Sequence, residues 1–151
     1  MKKPVVLGLG LAILGTAGIV AAQIAGSTPE EPGFDGPLPL CNGVPNCYRV
    51  RRVYSASPDV VRDAARAAVD ASSHWLTGAP VRVTPTDDGL KAVIKTGPFR
   101  DDLQIAVVPG AAGQSVLHAR SASRVGESDL GINRLRVRRL LDAVADRLMA
   151  A

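Results

Sequence analysis

From Arg120 to Asn133 the chain reads Arg-Ser-Ala-Ser-Arg-Val-Gly-Glu-Ser-Asp-Leu-Gly-Ile-Asn, a dense polar and glycine-rich run set between two apolar segments. Its first half, with the residues just ahead of it, alternates. Leu117, Ala119, Ser121 and Ser123 fall on one side, and Val116, His118, Arg120, Ala122 and Arg124 on the other. A strand repeats every two residues, so the histidine and both arginines share one face while the serines follow the apolar one. After Arg124, two glycines and an Asp/Ser pair call for a turn, and a helical pattern follows. Any fold must therefore place this run where a strand hands over to a helix.

The strand needs partners, and the preceding sequence supplies them. Tyr48–Ser55 is rich in β-branched and aromatic residues and reads as a first strand. Val81–Thr84 and Leu90–Thr96 flank Pro-Thr-Asp-Asp-Gly, whose Asp88-Gly89 is a hairpin signal, and Leu103–Val108 and Val116–Arg124 flank a second glycine-rich turn. The runs on either side of Gly97-Pro98 could also merge. In the second hairpin, setting Leu103, Ile105 and Val107 on the face of Leu117, Ala119 and Ser121 keeps the apolar side whole, whereas a slip of one residue would expose it. That register puts Asp102 on the face of Arg120 and Arg124, predicting an ion pair with one of them. It puts Asp101 on the serine face, as an acceptor for Ser121, Ser123 or turn amides near Gly126.

Two helices complete the pattern. Ser57, Pro58 and Asp59 suit a helix start, and Val60, Ala64, Ala67, Ala68, Ala71 and Trp75 recur at helical spacing up to Thr77-Gly78. Trp75, the one tryptophan, is expected as a core plug. Ile132–Leu148 carries a stripe of Val137, Leu140, Leu141, Val144 and Leu148, with Arg134, Arg136, Arg138, Arg139 and Arg147 on its other faces. Basic residues at a helix start oppose the macrodipole, which makes Glu127 and Asp129 the expected partners of Arg134 or Arg138. The fold class is α+β: an antiparallel sheet of about four to five strands packed by two helices in the order β-α-β-β-β-β-α, preceded by an N-terminal hydrophobic helix. With only 3% aromatic residues, its core rests on Ala, Val and Leu.

The N-terminus sets the compartment. Lys2 and Lys3 precede an apolar run from Val5 to Ala22 broken only by Thr16. A signal peptide has an apolar centre of about 7–15 residues and a spanning helix needs about 20; the length favours a retained anchor, with cleavage after Ala22 as the alternative. The lysines hold this end in the cytoplasm, which places the rest on the periplasmic or extracytoplasmic side of the inner membrane, or free in the periplasm if cleavage occurs. Residues 1–26 are thus the anchor or signal, 27–40 a spacer and 41–151 one globular domain. The spacer holds four prolines and two glycines, which exclude helix and ladder pairing, while its Phe34, Leu38 and Leu40 could dock on the domain. Outside the cytosol, Cys41 and Cys47 are expected as a structural disulfide rather than a zinc or redox pair.

The net charge of +4 includes Lys2 and Lys3; without them the 18 basic residues fall to 16, against 14 acidic ones, too even a balance to suggest nucleic acid. No metal cluster or cofactor motif stands out.

Three blocks carry a resemblance: Cys41 with Pro45-Asn46-Cys47, Thr96-Gly97-Pro98-Phe99-Arg100-Asp101-Asp102, and Arg120 through Arg136. Together, over about Leu40–Leu148, they resemble the domain of unknown function 1499 family, departing from it at Tyr48-Arg49, where smaller residues are expected. The family has no settled activity and its members are often exported or membrane-associated; the resemblance implies that the Asp101-Asp102 and Arg120–Asn133 blocks form one site. The function expected is a non-catalytic binding or structural module with the membrane, and an anionic ligand or a protein, as partners. Arg120, Ser123, Arg124, Ser128 and Asn133 would hold an anionic group, braced by Asp101, Asp102, Glu127, Asp129 and Arg134. The alternative is a small hydrolase using a serine of the Arg120–Asp129 block with His118 and Asp101 or Asp102, although His118 and the strand serines fall on opposite faces.

Overall fold

The computed structural model describes residues 35–72 and 78–151. The hydrophobic segment 1–26, Phe34 and Trp75 lie outside the described residues, so the anchor helix and the tryptophan plug have no structural counterpart here. Among the described residues no helix is long and apolar enough to cross a membrane.

The five strands are β1 (Cys47–Tyr54), β2 (Ala79–Pro85), β3 (Gly89–Thr96), β4 (Phe99–Pro109) and β5 (Ser115–Ser123). The helices are α1 (Pro58–Asp70), between β1 and β2, and α2 (Ile132–Ala150) at the end. All neighbours are antiparallel and the sheet order is β1-β5-β4-β3-β2. β2 through β5 form a meander and β1 closes onto β5 at the far edge. The α+β reading holds, with five strands. Edge strand β2 carries Pro80 and Pro85, which lack the N–H that would invite another strand.

The β4–β5 register is the one that keeps the apolar side whole: Leu103 opposes Ser121, Ile105 opposes Ala119 and Val107 opposes Leu117. Gly97-Pro98 is a tight turn that separates β3 from β4, with Thr96 opposite Phe99. Gly97 sits at φ 57° and proline cannot follow it into positive φ, the combination of a type II′ hairpin. Gly89 is needed for a different reason than turn conformation: a Cβ there would lie 2.1 Å from the Ile105 carbonyl oxygen.

Both helices cover the face of Leu103, Ile105, Leu117 and Ala119. In α1 the buried stripe is Val61, Ala64, Ala65, Ala68 and Val69: Ala64 and Ala68 are buried as expected, whereas Val60, Ala67 and Ala71 are exposed and the helix ends at Asp70. The small alanines let α1 approach the sheet closely. In α2, Val137, Leu140, Leu141 and Val144 are buried as expected, and so are Asn133 and Arg136. The sequence pattern puts Arg136 on an outward face; its burial is the first sign of a polar interior at this end of the helix.

Candidate functional site

The sheet separates the motif residues into two groups. On the helix-covered side, Arg136 reaches down from α2 to Asp101, 2.6 Å away, with the two side chains 0% and 4% exposed. Thr96 Oγ1 accepts from Arg136 Nη2 at 3.0 Å and donates to the same Asp101 oxygen at 3.1 Å. Arg136 Nη1 donates to Ser121 Oγ (2.8 Å) and to Asn133 Oδ1 (2.6 Å), and the Ser121 hydroxyl in turn donates to Asn133 Oδ1. Asn133 Nδ2 donates to the Asn46 carbonyl (2.9 Å) and to Ser123 Oγ (3.0 Å). Burial lowers the pKa of Arg136 while Asp101 pulls it back up. A guanidinium starts so high that it remains charged at any working pH.

This arrangement corrects two expectations. Asp101 is held by Arg136 and Thr96, not by Ser121, Ser123 or turn amides; the serines are taken by Asn133 and Arg136. Asp129 does not pair with Arg134 or Arg138. Its carboxylate turns inward and accepts the backbone N–H of Gly131 (3.0 Å) and Asn133 (2.7 Å), capping α2 at the end where the dipole favours an anion. Ser128 Oγ accepts from the Leu130 N–H at 3.3 Å, and Glu127 is exposed. Arg134 lies over the Tyr48 ring, 5.7 Å from its centroid.

The Cys41–Cys47 pair is a disulfide and fixes the loop bearing Asn46. Through Asn46 the N-terminal loop, the end of β5 and the start of α2 are tied together: its carbonyl also accepts the Ser123 N–H at 2.9 Å, and its side-chain amide donates to the Gly126 carbonyl. Buried polar groups this fully paired act as a brace, because loss of any one member strands the others in a low dielectric.

Among the described residues no helix covers the other side of the sheet. Across it runs a row of Thr84, Lys91, Gln104, Arg120 and Arg49, one from each strand, in register. Arg120 Nη1 donates to Gln104 Oε1 at 3.2 Å. In the next row Asp102 is clasped by Arg124 through Nε (3.0 Å) and Nη2 (2.7 Å), which is the predicted ion pair in its Arg124 form. That contact raises the pKa of Arg124. Lys95 stands opposite Arg100, and Arg49 opposite Arg120, so cations face cations across neighbouring strands. A groove of about 220 Å³ is lined by Val81, Arg82, Val93, Arg100 and Arg124, and one of about 320 Å³ beside it by Arg82, Lys91, Gln104, Arg120 and part of the spacer, Pro39. The spacer docks: Leu38 is half-buried and the Gly36 carbonyl accepts from Arg49 Nη2 at 3.3 Å, whereas Leu40 is exposed.

His118 is buried on this same helix-free face, and burial, then Arg49 and Arg51, lower its pKa. The sheet lies between it and the inward-facing Ser121 and Ser123, so no nucleophile–base pair forms from them. Among the described residues no group of three or more His, Cys, Asp or Glu is placed to hold a metal ion.

The expected single site is therefore two. Ser123, Asn133, Asp101 and Asp129 belong to the internal brace, and Arg120, Arg124 and Asp102 to the open face. The residue that sequence reasoning misplaces is Arg136. The available signal is its spacing: Asn133, Arg136, Val137, Leu140, Leu141 and Val144 follow one helical stripe, with an arginine at a core position.

A family model described as "Protein of unknown function (DUF1499)" matches residues 38–144, and the chain belongs to that family. No curated protein matches the chain. Among solved structures, the protein TTHA0849 from Thermus thermophilus is similar at 12% identity, with a TM-score of 0.42 over 69% of this chain and 97% of that one, a likeness too distant to bear on function.

Proposed function

We propose that this protein is a membrane-tethered extracytoplasmic module that binds rather than catalyses, and that its helix-free sheet face holds an anionic group. The carrying observation is the pairing of cation with cation, Lys95 with Arg100, and Arg120 with Arg49, which is itself buried and bonded to the spacer at Gly36. Like charges directly opposite each other destabilise a sheet. A bound anion relieves that cost, and guanidinium forks suit phosphate or carboxylate. Arg82 stands between the two grooves, with Arg100 and Arg124 to one side and Lys91 and Arg120 to the other. Arg124 holds Asp102 and Arg120 holds Gln104; Arg82, Arg100, Lys91 and Arg120 are the primary contacts of this reading. The apolar N-terminal run and the spacer support the tether.

The test is a titration of the full chain in non-ionic detergent with inorganic phosphate, followed through the arginine side-chain N–H signals in NMR. The signals of Arg82, Arg100 and Arg120 are expected to move saturably while that of Arg136 stays still. Movement confined to Arg136, or none at all, would overturn the reading.

A further inference from the structure

Most of the exposed large hydrophobic side chains gather at one end of the domain. The strand register fixes that end: β1 begins there, β5 and β3 finish there, β4 begins there, and α2 starts from it through Asn133. Phe99, from the β3–β4 turn, is 54% exposed; Val125 and Leu130, from the β5–α2 loop, are 57% and 66% exposed. Leu40, Val44 and Leu135 are exposed beside them. They come from the start of β4, the region of the Cys41–Cys47 loop, the β5–α2 loop and the first turn of α2.

Leu130 carries the point furthest. It sits at φ 53°, a left-handed conformation that disfavours a residue with a side chain and that glycine would take without penalty. The turn is held in place by the Ser128 hydroxyl on the Leu130 N–H and the Asp129 carboxylate on the Gly131 N–H. A leucine held in a conformation it disfavours, with its side chain in solvent, contributes nothing to the core. What it supplies is an outward apolar group.

Charge identifies what that group meets. Arg100 follows Phe99, Arg124 precedes Val125, Arg134 precedes Leu135, and Lys95 stands opposite Arg100. Arg124 is held by Asp102 and Glu127 is exposed in the same loop, so Lys95, Arg100 and Arg134 carry the basic excess; apolar tips beside such an excess match the boundary between anionic headgroups and acyl chains. The described chain reaches this end through Leu40 and the Cys41–Cys47 loop, and ahead of them Gly36 to Pro39 lie back over the sheet face beside Arg49, Arg120 and Asp88. We infer that the loop-bearing end of the domain seats on an anionic phospholipid bilayer, with Phe99, Val125 and Leu130 entering the interface. This rests on the proposed tether for membrane proximity, and it shares Lys95, Arg100 and Arg124 with the proposed anion-holding face.

The test uses the full chain in vesicles of equal parts phosphatidylcholine and phosphatidylglycerol. Single thiols are introduced as Phe99→Cys, Leu130→Cys, Val53→Cys or Val60→Cys and labelled with an environment-sensitive fluorophore; the native cysteines are already joined. Val53 and Val60 are exposed at the opposite end, where Ser115 Oγ donates to the Ala56 carbonyl. Labels at 99 and 130 are expected to shift to the blue and to be quenched by shallow spin-labelled lipid several-fold more than those at 53 and 60, and to lose most of that difference in pure phosphatidylcholine. Equal quenching at all four positions would overturn the inference, as would a blue shift at 99 and 130 without lipid quenching, which would place a protein surface there. Flotation after an alkaline wash reports the tether separately: a chain that fails to float has lost that reading, while position-dependent quenching on added vesicles still decides this one.

Discussion

The two faces of the sheet use the same residue types to opposite ends. Under α2, one arginine is enclosed by a carboxylate, a threonine, a serine and an asparagine, and each polar atom of the Asn133 side chain has a partner. On the helix-free face, arginines and lysines stand next to one another along the strands, with Asp102 as the acid among them. A charged group paired inside the fold specifies shape; a cluster of one sign left at the surface specifies a partner. On the proposed reading, the difference separates bracing from binding within what the sequence presents as one motif.

The contrast breaks most visibly at the buried pair. Asp101→Ala leaves the Arg136 charge uncompensated, and denaturant unfolding is expected to show a loss of about 3–5 kcal/mol. Adding Arg136→Met to that variant should return much of it, since removing both charges leaves no stranded group; a double variant as weak as the single one would mean the brace is not an ion-pair network. Next in size, replacing Cys41 and Cys47 by Ser frees the Asn46 loop, and is expected to cost about 2 kcal/mol in the same measurement.

His118 gives a pH-dependent probe of the other face. Its pKa is lowered in the folded state by burial and by Arg49 and Arg51. As pH falls below the unfolded value near 6.5, the unfolded chain takes up a proton that the folded one resists, so stability should fall there and level off once the folded histidine also protonates. His118→Gln should flatten unfolding midpoints measured from pH 7 to 5; an unchanged slope would remove His118 as the source. The smallest effect belongs to Arg124→Ala. Its pair with Asp102 is solvent-exposed, and the melting temperature should not change measurably. A large drop would move Arg124 from the binding face to the brace.

Much of this architecture is legible in the residues because alternation and register are local. Leu103, Ile105 and Val107 have one apolar face to match with Leu117 and Ala119, and the Asp102–Arg124 pair follows from that choice. The brace is not local. Asp101, Asn133 and Arg136 meet only because α2 folds back over the start of β4, and an arginine in an apolar stripe reads as surface until its carboxylate is known to lie beneath it. Asp129 escapes a sequence reading for a related reason: charge pairing with nearby arginines is the obvious option, but backbone amides at a helix start are nearer and equally satisfied by a carboxylate.

The separation of brace from binding face is tested most directly by melting the full chain, in non-ionic detergent, over a series of phosphate concentrations as wild type, as Asn133→Ala and as Arg82→Ala/Arg100→Ala. Asn133→Ala is expected to melt lower at every concentration yet keep the phosphate-dependent rise of the wild type, while the double arginine variant starts with the wild type and does not rise. A phosphate response abolished by Asn133→Ala and retained without Arg82 and Arg100 would contradict the account.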